Sequence, residues 1–234
     1  MNIQQKGNTN TNKSDRRGYK PIAIVNHISE GSGASLISWF TSSGNTGSSA
    51  HFGVDRDGQI YQFVPIADNA WANGLSGNQY AKATAAIVKE KGAVNPNWYT
   101  VSIENVGTTS QHGGVLTDAQ FEANVWLTRY IRDYVKKTYN IDIPFDRKHI
   151  LGHYEIDPVN KPNCPGKLFP WDRLIRVLND GGSKYSYDDT VDNMIKDGVT
   201  TVDNMQAWEK MLDGREPMNP EYVRAIFDRY HAKL

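Results

Sequence analysis

Cysteine is all but missing from this 234-residue chain, which has only Cys164. No internal disulfide is possible, so the fold must rest on its core or on metal. No apolar run approaches the ~20 residues of a membrane helix, which argues against membrane insertion. The opening Met-Asn-Ile-Gln-Gln-Lys has no apolar signal region, so synthesis in the cytoplasm without classical export is expected. Net charge is zero, with 19 Lys+Arg against 16 Asp+Glu in residues 1–182 and 7 against 10 in residues 183–234. Neither part has the concentrated basic face of a nucleic-acid binder. A glycine-rich phosphate loop and a His-Glu-x-x-His helix are both absent, which removes the usual marks of nucleotide chemistry and of a zinc peptidase.

What is present centres on residues 149–166, His-Ile-Leu-Gly-His-Tyr-Glu-Ile-Asp-Pro-Val-Asn-Lys-Pro-Asn-Cys-Pro-Gly. Pro158, Pro162, Pro165 and Gly166 rule out regular helix or central strand between them. So stiff a segment suits fixed presentation of His153, Lys161 and Cys164, and thiolate with imidazole is a donor set zinc favours. Alone, the same pattern also describes a rigid surface loop with one buried thiol.

Residues 6–20 are polar and aperiodic and read as an extended lead-in. Ile22-Ala23-Ile24-Val25 is a buried strand delivering His27 at its C-terminal end, and 34–40 is helical. Residues 50–54 and 59–64 flank Asp55-Arg56-Asp57-Gly58, a hairpin signal. Period two then sets His51 and Gly53 on one face and Phe52 and Val54 on the other. A helix is predicted over 79–91 and a strand over 99–106, with Val101 and Ile103 facing one way and Ser102 and Glu104 the other. The strongest helix spans 118–139, with Thr117 and Gln120 in a capping-box pattern and Ala123, Leu127, Ile131 and Val135 at helical spacing. A helix over about 170–178 follows. Gly181-Gly182-Ser183 marks a boundary between a domain of residues 1–180 and a small all-helical module, 184–234, with three amphipathic stripes.

Strands alternating with helices gather distant residues at strand ends. His27, His153 and Cys164 would supply two imidazoles and a thiolate, three ligands with a fourth position open for water, as in catalytic zinc sites. Glu104, on the polar face of its strand, is the candidate base.

Ile24-Val25-Asn26-His27, Ser49-Ala50-His51-Phe52 with Asp57-Gly58, Val101-Ser102-Ile103-Glu104, Gly152-His153-Tyr154-Glu155 and Cys164-Pro165-Gly166 occur in that order. Together they resemble the zinc-dependent N-acetylmuramoyl-L-alanine amidases of the peptidoglycan-recognition-protein type, over roughly residues 20–178. The resemblance implies an α/β fold with a mixed central sheet flanked by helices. It implies one zinc per chain on His27, His153 and Cys164, Glu104 as the group that handles protons, and Lys161 as the cation that steadies the oxyanion. Lys161 stands three residues before Cys164, whereas some members place it two before. Ala50 stands where several members have a tyrosine, which shifts work onto Glu104. Trp71-Ala72-Asn73-Gly74 resembles a motif that often has His after Trp, making Trp71 a substrate-contact candidate. His51 is a second such candidate, though a supporting role is the commoner one for a fourth histidine. Trp39, Trp71 and Trp98 are candidates for a glycan groove or for core packing.

The implied reaction is hydrolysis of the amide between the lactyl group of N-acetylmuramic acid and L-alanine in bacterial peptidoglycan, with a zinc-activated water as nucleophile. The layout resembles a phage endolysin, reaching the wall once another protein opens the membrane. The alternatives are a bacterial autolysin or a non-catalytic peptidoglycan-binding protein. Oligomeric state is not legible in the sequence.

Overall fold

The computed structural model describes residues 1–179, which form one unit, Met1–Asn179. The boundary at 181–183 and the three helices expected in 184–234 lie outside the described residues. The strands are β1 (Ile3–Gln5), β2 (Lys13–Ser14), β3 (Ala23–Ile28), β4 (Phe52–Val54), β5 (Ile60–Gln62), β6 (Asn69–Ala70), β7 (Thr100–Asn105) and β8 (Ile150–Gly152). Six make a mixed sheet in the order β1-β5-β4-β7-β3-β8, while β2 and β6 pair separately. β3, β4, β7 and β8 run parallel, and β5 is antiparallel to β4 across the Asp55–Gly58 turn. Every residue of β3 is buried, as expected of a central parallel strand covered on both faces.

The helices are α1 (Gly33–Phe40), α2 (Gln79–Lys82), α3 (Ala86–Lys91), α4 (Thr109–His112), α5 (Asp118–Tyr139), α6 (His153–Ile156) and α7 (Trp171–Asn179). Ala123, Leu127, Ile131 and Val135 of α5 pack with Ile24, Phe52, Val54, Val101 and Ile103 in the main core. Period two therefore holds in β4 and β7: these odd or even partners face α5, and Glu104 faces the other side. There, Ala23, Val25 and Leu151 pack with Ala83, Ala85, Ile87 and Val88. Among the described residues, no helix is long and apolar enough to cross a membrane.

Four local expectations change. The helix predicted over 79–91 is two, α2 and α3. Between them the Thr84 and Ala85 N–H groups donate to the Glu155 carbonyl at 2.8 and 2.9 Å, so a tertiary acceptor replaces the helical one. Thr117 does cap α5, accepting from the Gln120 N–H at 3.1 Å. The Gln120 side chain does not complete a capping box; buried, it donates to the carbonyls of Val54 and Val106 at 3.0 and 2.9 Å. The lead-in is partly strand, and Arg16 within it is 5% exposed. The stretch at 149 opens with β8 and α6 before its prolines begin.

Candidate functional site

Parallel strands β3 and β7 place His27 directly beside Glu104 in register, each one position before the C-terminal end of its strand, the edge at which open α/β folds hold ligands. β8 lies on the other side of β3 and runs straight into α6, whose first residue is His153. Gly152 at that junction must be small: a Cβ there would lie 2.5 Å from the Tyr154 ring. The Glu155 carboxylate accepts from the Gly152 N–H at 2.8 Å and pairs with Arg147 at 2.6 Å, which fixes the turn that aims His153. Cys164 returns to the same place through the proline-rich loop. Tyr154 N–H donates to its carbonyl at 2.9 Å, Ile28 N–H donates to its Sγ at 3.4 Å, and the Cys164–Pro165 peptide is cis.

Ligand atoms of His27, His153 and Cys164 all lie within 4.8 Å of one another. The two imidazole centroids are 4.4 Å apart. Among the described residues, His27 Nε2 and Glu104 Oε2 are buried atoms without a hydrogen-bond partner. Such orphans are costly in a finished core, and here they occur side by side.

Burial, then the neighbouring His153 and Lys161 charges, hold His27 well below the usual imidazole range. Burial and Lys161 bring His153 down to about 4, so both rings are neutral and free to donate a lone pair at pH 7. Burial and the Glu104 charge push the Cys164 thiol up to about 12, a value a bound cation would reverse. Burial pushes Glu104 up to about 7, against the pull of Lys161. A carboxyl with that value is suited to gaining and losing a proton near neutrality. Two neutral imidazoles and a thiol, one with an unpartnered nitrogen, fit a zinc-type cation.

These groups floor a cleft of about 800 Å³. Lys161, Trp71 and Trp39 also line it, while Trp98 instead stacks on Tyr19 at 5.6 Å. The structure does not bring His51 to the cleft. His51 is buried, with Arg16 Nη2 at 2.9 Å and the Asp68 carbonyl at 3.1 Å from Nε2. Its Nδ1 lies 3.0 Å from both the backbone N–H and the hydroxyl of Ser102. With both nitrogens engaged in the interior, it supports the sheet rather than touching a ligand. Two charged cleft residues escaped the sequence reading. Glu30 follows His27 by three residues in the left-handed region, φ 54°, and Asp157 follows His153 by four. Their closeness in sequence to His27 and His153 was the available signal.

A family profile described as N-acetylmuramoyl-L-alanine amidase matches residues 17–167. The chain is 34% identical over 130 residues to a 1,6-anhydro-N-acetylmuramyl-L-alanine amidase of Escherichia coli, spanning 56% of this chain and 57% of that protein. It is therefore aligned with little more than half of that relative. It is 30% identical over 173 residues to N-acetylmuramoyl-L-alanine amidase A of Achromobacter lyticus, covering 68% of this chain and 84% of the relative. Among solved structures, AmpD superposes with a TM-score of 0.56 at 24% identity, covering 75% of this chain and 93% of that one. PlyL superposes at 0.53 and 21%, covering 78% and 99%; both likenesses speak to the fold. A profile that begins just after Arg16 and runs through the cysteine loop includes every residue that builds the cluster, and on that ground this chain belongs to the N-acetylmuramoyl-L-alanine amidase family.

Proposed function

We propose that the protein is a zinc amidase that hydrolyses the bond between the lactyl group of N-acetylmuramic acid and L-alanine in bacterial peptidoglycan. The observation that carries this reading is the meeting of the His27–His153–Cys164 cluster with the orphaned Glu104 carboxyl. One zinc, held by those three residues, would supply Lewis-acid polarisation and a water nucleophile near neutral pH. Glu104 takes the proton from the attacking water and returns it to the departing alanine nitrogen. Lys161, whose charge bears on His27, His153, Glu104 and Cys164 alike, would stabilise the negative charge that the carbonyl oxygen gains. Trp71 presents its ring to the substrate beside this centre.

The intact wall is the favoured substrate, with the protein acting as an endolysin. It would be made in the cytoplasm and reach the wall after the membrane is opened, and residues 184–234 would hold it there. A second reading has support in the Escherichia coli relative, a 1,6-anhydro-N-acetylmuramyl-L-alanine amidase, and takes 1,6-anhydro-muropeptides as the substrate. Digestion of purified walls and of an anhydro-muropeptide, with new alanine N-termini counted, tests both. Amines from walls support the lytic role, and amines from the soluble substrate alone support the second. Absence of amines from either overturns the amidase reading.

A further inference from the structure

The cleft has two chemically distinct halves. Its charged side chains, Glu30, Glu104, Asp157 and Lys161, are those whose fields reach the ligand cluster. The remaining wall, with Trp39, Trp71, Ser48, Ser49 and Asn97, carries no charge. Trp39 is 53% and Trp71 36% exposed, large apolar rings left open to solvent in a polar cleft. Their polar edges are already engaged: Trp39 Nε1 donates to Ser48 Oγ at 3.0 Å and Trp71 Nε1 to Ser14 Oγ at 3.1 Å. Each ring is thus held at its N–H edge while part of its surface stays exposed, as suits stacking on a ligand.

The N-terminal strap holds Trp71 directly through Ser14 and braces the loop whose Ser48 holds Trp39. Asn12 Nδ2 donates to the carbonyls of Asn45 and Ser48 at 2.8 and 3.1 Å. Asn8 and Asn10 both donate to the Thr41 carbonyl at the end of α1. Ser49 ties the strap to Trp71: its hydroxyl donates to the Asn12 carbonyl at 2.6 Å and accepts from the Trp71 backbone N–H at 2.8 Å. The asparagine-rich lead-in therefore holds the 41–49 loop and both rings as one assembly.

We infer that Trp39, together with Trp71, forms a glycan platform, pre-assembled by the residue 8–16 strap, that stacks the apolar face of a pyranose on the sugar side of the scissile amide. The inference rests on the amidase reading for which bond is cut. A neutral, aromatic and hydroxyl-lined wall suits an uncharged polyhydroxylated ligand, whereas a stem peptide with its carboxylates and amines suits the charged half. Fixing the rings beforehand removes the ordering penalty from binding.

Two measurements test this on the full chain. Peptide-free N-acetylglucosamine oligomers, which contain no lactyl–alanine amide to be cut, are titrated by calorimetry. Binding is expected, weakened about tenfold by Trp39→Ala, less by Asn12→Ala, and largely restored by Trp39→Phe. In the active protein, Trp39→Ala should raise KM about tenfold for a disaccharide-bearing muramoyl peptide, leaving kcat in place. An N-lactyl peptide without sugar should be cut equally by the wild type and Trp39→Ala. Unchanged oligomer binding in Trp39→Ala, or an equal loss on the sugar-free peptide, overturns the platform. Failure of every substrate to release alanine amines would sink the amidase reading while the oligomer titration still reports on the platform.

Discussion

His27 and His51 are both buried histidines on one face of the same sheet, yet they have opposite fates. His27, at the end of β3, keeps Nε2 without a partner among the described residues and meets Glu104, His153 and Cys164. His51, one residue ahead of β4, spends both nitrogens on Arg16, Asp68 and Ser102. Burial is alike, at 2% and 1% exposure, so burial does not separate ligand from scaffold. Hydrogen-bond satisfaction does. A ring whose every lone pair and proton is used internally stabilises the fold, and one left short is poised for something absent from the chain.

Loss of metal should separate the two regions most sharply. Stripping with a chelator, or Cys164→Ser, is expected to lower amide hydrolysis by at least about 10³-fold, with metal content falling from one zinc per chain in elemental analysis. Full activity of a metal-free preparation would break the assignment of His27 as a ligand.

Glu104→Gln is expected to retain zinc and lose about 10²- to 10⁴-fold in turnover. Lys161→Ala should fall by less, since the ammonium acts through charge alone. Near-normal wall digestion by Glu104→Gln would mean that the orphaned carboxyl is not the proton carrier.

The reverse pattern is expected of the scaffold histidine. His51→Phe leaves the buried Ser102 N–H without its side-chain acceptor and the Asp68 carbonyl without its donor, a destabilisation of about 2 kcal/mol in urea unfolding, with zinc content unchanged. A drop in zinc stoichiometry at unchanged stability would erase the distinction.

The smallest effect is in pH dependence. Burial and the Arg16 charge depress the His51 pKa in the folded protein, so as pH falls through about 6.5 the unfolded chain takes up this proton first. The stability tied to His51 is present above that pH and is lost below it. With zinc saturating His27 and His153, unfolding free energies between pH 7.5 and 5 should decline less steeply in His51→Phe than in the wild type. Parallel slopes would show that His51 does not titrate with unfolding.

Much of the site was legible because its residues sit at punctuation the chain cannot hide. Four apolar residues ending in Asn26-His27 can only be a strand with a histidine at its mouth, and prolines around Cys164 can only be a stiff loop. Alternation put Glu104 opposite Val101 and Ile103, and α5 runs over the 22 residues of Asp118–Tyr139 because cap, stripe and C-terminal lysines agree. The failures share a cause. Gln120 reads as a capping residue until the carbonyls of Val54 and Val106 claim its amide, and 79–91 reads as one helix until the Glu155 carbonyl intercepts it.

By itself, then, the sequence determined the local states and the donor types: strand ends, the long helix, the proline-rich loop, and the supply of two imidazoles, a thiol, a carboxyl and a lysine. Tertiary structure decided which histidine joins the His153–Cys164 cluster and which is tied into the scaffold, and it turned a polar lead-in into the strap behind Trp39 and Trp71. Those outcomes depend on partners 35 residues away, as Arg16 is from His51, or 57, as Ser14 is from Trp71. Local propensity reports a residue's own backbone preference and its near neighbours, whereas hydrogen-bond satisfaction is settled only when distant segments meet.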